Sequence, residues 1–194
     1  MENRFILMSM PVPRLIPVLF VLLTLTFGAL SYVHADFTVR NVDIQNADGQ
    51  LTVSTDIDLN LTTEVEAAVT NGVPLVLLTE IRVVRPGLLW DSALNEVKNR
   101  FRLRYHALSD HYIVEMPDSQ GIEMFRTVDD ALKRIGTLRD VGLALPDSKP
   151  NTAYRLAVRS RLDIDALPGP LRPMAFLSTN WRLNTDWTYW QILP

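Results

Sequence analysis

Strict alternation of apolar and polar residues dominates the chain after residue 36 and predicts β-strands. The clearest run extends from Leu51 to Leu61, with every second residue apolar or Thr55. It follows Phe37–Gln45 across Asn46-Ala-Asp-Gly49, and Asp-Gly tolerates the positive φ of a tight turn. These two segments are therefore predicted to form a hairpin, with a bulge near Asn41-Val42 where the alternation slips.

Further strand patterns follow along the chain. Pro74–Arg85 is almost entirely apolar and ends at Pro86-Gly87, which predicts a central strand. The remaining predicted strands are residues 97–106, His111–Met116, Gly121–Arg126, Thr152–Ile164 and Asn180–Ile192.

Two short helices are predicted between the strands. Thr63-Glu-Val-Glu66 has the spacing of a capping box and opens a helix over residues 63–71, which Asn71-Gly72 ends. Thr127, with Asp130 three residues later, caps a second helix that ends at about Gly136.

Seven or eight strands with short helices in the connections predict a mainly β (α+β) fold. The architecture that suits them is an antiparallel β-sandwich, immunoglobulin-like in general arrangement. Pro146–Pro150 and Leu167–Pro173 are predicted to be connections. The sequence contains no internal repeat or linker, so residues 36–194 are predicted to form a single domain.

Residues 1–35 have the pattern of a secretory signal peptide. Arg4 and Arg14 precede the uncharged run Ile16–Leu30, and the small residues Val33 and Ala35 stand where a signal peptidase requires them. This run of 15 residues would be about 22 Å long as a helix, against roughly 30 Å of hydrocarbon. The pattern predicts a periplasmic protein that begins near Asp36. The alternative is an uncleaved inner-membrane anchor with the domain facing the periplasm. In both cases membrane contact is expected only through this segment.

Composition narrows the classes of function. The chain has 19 basic and 22 acidic side chains, of which two basic and one acidic side chain lie in residues 1–35. Residues 36–194 therefore hold 17 basic and 21 acidic side chains, a net charge of −4. A slightly acidic domain is not suited to neutralising nucleic-acid phosphates. The chain has no cysteine, which excludes disulfides, thiolate metal sites and cysteine nucleophiles.

No metal or cofactor site is predicted. Asp56-x-Asp58-x-Asn60 opens like a calcium loop, but an EF-hand needs a glycine next and a glutamate at its twelfth position, where this chain has Leu61 and Ala67. Alternation assigns these residues to the outer face of a strand.

No catalytic residue is predicted either. Ser109-Asp110-His111 contains the residue types of a hydrolase triad, but adjacent residues do not aim their side chains at one point. An envelope hydrolase that uses carboxylates with His106 or His111 stays open as an alternative, since the spacing of a carboxylate pair is set in space.

Basic side chains share one face on each of two predicted strands. We predict these side chains as binding candidates because of their charge: they would form a patch that attracts anions if the two strands were neighbours. The competing interpretation is cross-strand pairing with acidic side chains, for which the candidates are Asp56, Asp58, Glu80, Glu115 and Glu123. Trp190 is added because it is predicted to lie opposite the other C-terminal aromatic residues, exposed or covered by a partner. The candidates are Lys98, Arg100, Arg102, Arg104, Arg155, Arg159, Arg161 and Trp190.

The combination of several segments resembles a family of proteobacterial exported proteins described only as a domain of unknown function. The segments are the leader, Asn71-Gly-Val-Pro-Leu75, residues 125–132, residues 162–168, and Trp181 with Trp187 and Trp190. The resemblance implies a Gram-negative periplasmic setting and a membrane sensor kinase as a conceivable partner. It carries over no catalytic residue.

These observations together predict a non-enzymatic periplasmic binding or accessory module. Its partner would be an inner-membrane protein or an anionic envelope component, engaged through basic and aromatic strand faces. Two alternatives remain: the envelope hydrolase, and a periplasmic lipid carrier with a long apolar cavity between its sheets.

Overall fold

The computed structural model describes residues 36–47, 49–88, 90–145 and 153–192. The predicted leader and the predicted loop Pro146–Pro150 lie outside these residues. Within them, nine β-strands and three α-helices are present. The strands are β1 (Phe37–Ala47), β2 (Gln50–Leu59), β3 (Leu75–Arg85), β4 (Ser92–His106), β5 (His111–Glu115), β6 (Ile122–Phe125), β7 (Thr137–Ala144), β8 (Tyr154–Leu162) and β9 (Thr188–Ile192). The helices are α1 (Thr63–Thr70), α2 (Val128–Gly136) and α3 (Arg172–Leu177).

The strands form two antiparallel sheets, and the fold is mostly β, as predicted. One sheet has the order β1-β2-β7 and the other the order β6-β5-β4-β3-β8-β9. A single cluster of buried apolar side chains joins the inner faces of both sheets, with Leu51 and Val53 from the smaller sheet and Leu77, Leu103 and Leu156 from the larger one. This arrangement agrees with a β-sandwich.

The predicted hairpin and the predicted central strand are confirmed. β1 pairs with β2, and their register shifts between Val39 and Asn41, which is the expected bulge. Gly49 in the turn has φ of 80°, a conformation that glycine adopts without steric cost. β3 pairs with β4 on one side and β8 on the other. All its side chains except those of Arg82 and Arg85 are buried, on both faces of the sheet, which explains the apolar run.

Both predicted helices are present, with one correction at the first cap. The side chain of Thr62, not Thr63, accepts the hydrogen bond from the Val65 backbone N–H. Glu66 is then one position too late to complete a capping box. Thr127 caps α2 as predicted, by accepting from the Asp130 N–H. None of the helices in the described ranges is long and apolar enough to cross a membrane.

Three stretches differ from the predicted pattern. The first is α3 (Arg172–Leu177), a helix that was not predicted and that begins within the predicted connection Leu167–Pro173. β7 was not predicted, because Asp140, with φ of 54°, breaks its alternation and Gly142 leaves one position without a side chain. The predicted last strand, Asn180–Ile192, is wrong over its first half. Only Thr188–Ile192 is a strand, whereas Thr179–Trp181 is a 3₁₀ turn.

Hydrogen bonds join that 3₁₀ turn to the beginning of α1. Glu64 accepts hydrogen bonds from the Trp181 indole N–H at 2.6 Å and from the Asn180 amide at 2.9 Å, and Thr62 donates to the Asn180 carbonyl at 3.0 Å. These bonds from Asn180 and Trp181 lower the pKa of Glu64. Trp181 is 1% exposed, so its N–H depends on Glu64 for a partner.

We expect Glu64→Leu to lower the free energy of unfolding by about 2 kcal/mol, because it leaves the buried indole N–H unpaired. Glu64→Gln keeps an acceptor at the same place and should cost less than half as much. Urea unfolding followed by tryptophan fluorescence measures both. Equal costs for the two variants would contradict the role of this hydrogen bond.

Candidate functional site: the basic face of the larger sheet

The predicted basic side chains lie on one face of the six-stranded sheet, but their strands are not neighbours. β3 lies between β4 and β8, so that Leu78 is opposite Arg100 on one side and Arg161 on the other. β3 adds one further cation, Arg82. We call the outward side of this sheet the basic face, and its cations are Arg82, Lys98, Arg100, Arg102, Arg104, Arg155, Arg159 and Arg161.

Every one of these cations has an acidic partner, but only Glu80 and Glu115 of the five expected acids take part. The other three expected acids, Asp56, Asp58 and Glu123, pair with cations outside this face. Glu96 pairs with Arg82 and Lys98, and Glu115 pairs with Arg102 and Arg104. The remaining pairs are Arg100 with Asp163, Arg155 with Asp91, Arg159 with Glu80, and Arg161 with Glu80 and Asp163. Eight cations face five carboxylates, so the face keeps a net charge of +3 on a chain whose total is −3.

Glu80 is the centre of this network. It is 3% exposed and lies on β3 between Lys98 and Arg159. Its carboxylate accepts from Arg159 at 2.5 and 3.1 Å, from Arg82 at 3.3 Å and from Arg161 at 3.4 Å. Burial alone would raise the pKa of Glu80, but these three guanidinium groups outweigh burial and hold the pKa below its ordinary value. Glu80 therefore stays ionised and orders the arginines around it.

Two aromatic rings complete the face. The guanidinium carbons of Arg82 and Arg159 lie 4.3 and 4.5 Å from the centroid of the Trp187 ring, and that of Arg155 lies 5.2 Å from Tyr189. These are cation–π distances.

The expected exposure of Trp190 is wrong. It is opposite Leu156 on the inner face and packs against the core, because the irregular segment before β9 reverses the predicted facing.

Beneath the charges the basic face has an apolar floor. Val76, Leu78, Val84, Ala157 and Ile113 point outward on the sheet, yet each is less than 8% exposed and none belongs to the core cluster. Each of them has at least one arginine as a cross-strand neighbour. Arginine stems can cover apolar surface while the guanidinium stays in water. The arginines thus have a packing role as well as a charge.

Residues 34–191 match the model of the family described as Domain of unknown function (DUF4390). The chain belongs to this family. No curated protein and no solved structure is similar enough to the chain to count as a match. Membership in DUF4390 agrees with the resemblance noted in the sequence, and its description names no activity.

The histidines considered for hydrolysis lie at the turn between β4 and β5. His106 Nδ1 is 3.0 Å from Ser109 Oγ, but the carboxylate of Asp110 accepts from the Tyr105 hydroxyl at 2.6 Å instead of from a histidine. That bond raises the pKa of Tyr105. His111 is held by the Ser109 carbonyl. This arrangement is that of a hydrogen-bonded turn and does not assemble a triad.

The acidic pattern in β2 is also accounted for by pairing. Asp56 pairs with Arg139 at 2.6 Å and Asp58 pairs with Arg40, both on the outer face of the strand as predicted. Among the described residues, no group of three His, Cys, Asp or Glu side chains is placed to hold a metal ion.

Some residues of interest were missed from the sequence. Arg82 is a single cation within an apolar run, and Trp187 is separated from it by more than one hundred positions, so no local pattern joins them. At the β3–β4 turn, by contrast, the sequence does contain a local signal of unusual exposed residues. Leu88 is fully exposed and Trp90 is 73% exposed there, immediately after Pro86-Gly87, where turns are usually polar.

Proposed function

We propose that the chain is a non-enzymatic accessory module of the periplasm that binds an acidic surface of a membrane protein through its basic face. The observation that carries the proposal is the net charge of +3 on one broad sheet face of an otherwise acidic protein. Such a charge distribution favours encounter with negatively charged surfaces. Export, which the leader pattern predicts, would place this face outside the cytoplasm.

Preorganisation supports binding by this face. Glu80 and Trp187 hold Arg82 and Arg159 in place before any partner arrives. Side chains that are already ordered lose less conformational entropy on association. Arginine, tryptophan and tyrosine are also the residue types that contribute most to protein–protein interfaces. A flat sheet face with these residues is better suited to a folded protein than to a small molecule.

The test is photo-crosslinking of the full chain in intact cells, with the photoreactive residue at Lys98 on the basic face or at Thr52 on the outer face of β2. We expect a membrane-protein adduct from position 98 and not from position 52. A membrane sensor kinase is one partner that the family resemblance suggests. Adducts with lipid or envelope polysaccharide alone, or equal adducts at both positions, would contradict the proposal.

Charge reversal on β4 should abolish this adduct. Arg100, Arg102 and Arg104 have side chains that are 60%, 57% and 41% exposed. Their stems also cover apolar residues, so the melting temperature of the triple variant is measured beside the adduct. Changing all three to Glu should lower the adduct yield by about tenfold or more, because like charges then face each other. The matched control reverses three exposed cations elsewhere, Arg40, Arg126 and Lys133. An adduct that survives the first triple variant, with an unchanged melting temperature, would refute the assignment of this face.

A further inference from the structure

A groove of about 310 Å³ lies at one end of the basic face, beside α3. It forms where residues 182–184 run past the end of β8, and an isolated bridge joins Arg161 to Asn184 there. Its lining includes Arg159, Arg161, Arg182, Asp165, Phe176 and Leu183. We call it the arginine groove.

The lining of the arginine groove presents three guanidinium groups. Asp165 is the carboxylate within the same lining, and Glu80 and Asp163 pair with Arg159 and Arg161 from outside it. Each guanidinium is anchored from one side: Arg159 and Arg161 by Glu80, and Arg182 by the Phe176 carbonyl at 3.0 Å. Among the described residues, these anchors and the Arg161–Asp163 pair use at most two of the three nitrogens of each group. N–H donors therefore remain for an anion, and guanidinium groups bind carboxylates through paired hydrogen bonds.

The groove also has an apolar wall. Phe176 on α3 is 49% exposed, and Leu183 below it is buried. An exposed ring beside three cations offers nothing to inorganic phosphate, which has no apolar part. It does suit a peptide in which a carboxylate is next to an apolar side chain.

We propose that the arginine groove binds a short acidic peptide segment of the partner, with its carboxylate between Arg161 and Arg182 and an apolar side chain against Phe176. This inference rests on the proposed function and identifies the segment that the partner inserts. The broad basic face then supplies the encounter, and the groove supplies the anchor.

The probe is the peptide Gly-Asp-Leu-Phe with a fluorophore on its N-terminal amine. Its C-terminal amide and its Asp-to-Asn form are the matched peptides, and each lacks one of the two carboxylates. Anisotropy titration against the full chain should show binding that weakens with each lost carboxylate. Arg182→Gln and Phe176→Ala should each weaken binding by about tenfold, the equivalent of one charge-assisted hydrogen bond or one apolar contact. Arg172→Gln is the matched control, since Arg172 lies on the same helix and bonds to the Leu167 carbonyl.

The outcomes separate this inference from the proposed function. Arg100, Arg102 and Arg104 do not line the groove, so the triple Glu variant should lose the cellular adduct and still bind the peptide within about threefold. Equal binding of the peptide by wild type and Arg182→Gln would overturn the groove assignment and leave the adduct result standing. Displacement of the peptide by inorganic phosphate, with no effect of Phe176→Ala, would also overturn it in favour of a simple anion site.

Discussion

Exchanging Glu80 for glutamine is expected to lower the free energy of unfolding by about 3 kcal/mol, because it removes one partner from a buried charge network. Glutamine keeps the shape of the side chain, so the change isolates the charge. The arginines that lose this partner are 28% to 32% exposed, which lets water compensate them in part and places the cost at the low end of the usual range. Urea unfolding of the full chain measures the effect.

Glu96→Gln is the matched control for Glu80→Gln. Glu96 pairs with the same Arg82 and also with Lys98, but its side chain is 29% exposed against 3% for Glu80. A partly exposed pair contributes less than about 1 kcal/mol. If both variants cost the same, burial of Glu80 is not what gives its ion pairs their importance.

The contribution of Glu80 to the free energy of unfolding should decrease at acidic pH. Its pKa in the folded protein lies below its ordinary value of about 4.3, so its ionised form is favoured by folding. The stabilisation is therefore complete above the unfolded pKa and is lost as pH falls through the folded pKa. The difference in unfolding free energy between wild type and Glu80→Gln should be constant from neutral pH to about 5 and should shrink below about 4. A difference that grows on acidification would contradict this assignment.

Gly136→Ala is expected to lower the free energy of unfolding by about 3 kcal/mol, although alanine is the better helix former. Gly136 is the last residue of α2, and a Cβ there would lie 2.0 Å from the carbonyl oxygen of Ile57 in β2. Because both sides of the contact are backbone, the helix and the strand must separate to relieve it.

Gly142→Ala is the control for the glycine prediction. Gly142 is in β7, where an added Cβ meets nothing within 4 Å, and its φ is not positive in the left-handed range. Its replacement should change the unfolding free energy by less than about 0.5 kcal/mol. A neutral Gly136→Ala would mean that α2 does not approach β2 as closely as the structure shows.

The elements that follow local patterns were predictable. Alternation in β2, the apolar run of β3 and the Thr127 cap each reflect residues that are close in sequence. β7 was missed for a local reason as well, because Asp140 interrupts its period. The end of the chain was misread because alternating Trp181, Leu183 and Thr185 are all buried, although their backbone is irregular. It joins β8 through the isolated bridge between Arg161 and Asn184 and not through a continuous ladder.

The candidate site was only half predictable, because its assembly depends on strand order. The sequence shows that β4 and β8 each carry cations on one face, but not that β3 separates them. The role of Glu80 follows from that order alone. A single glutamate in an apolar strand has no local signal for three arginine partners contributed by two strands. Trp187 joins the face through the same non-local arrangement.

Because of the apolar floor beneath the arginines, folding of the chain depends on the same side chains that give this surface its charge. If the guanidinium-bearing stems were replaced by short neutral side chains, Leu78 and Val84 would come into contact with water. The sheet would then expose a continuous apolar surface that favours aggregation. Substitutions that remove these arginines one at a time are therefore expected to destabilise the protein, since each lost cation also exposes apolar side chains. The arginines of this face therefore contribute to the stability of the monomer in addition to the binding that we propose.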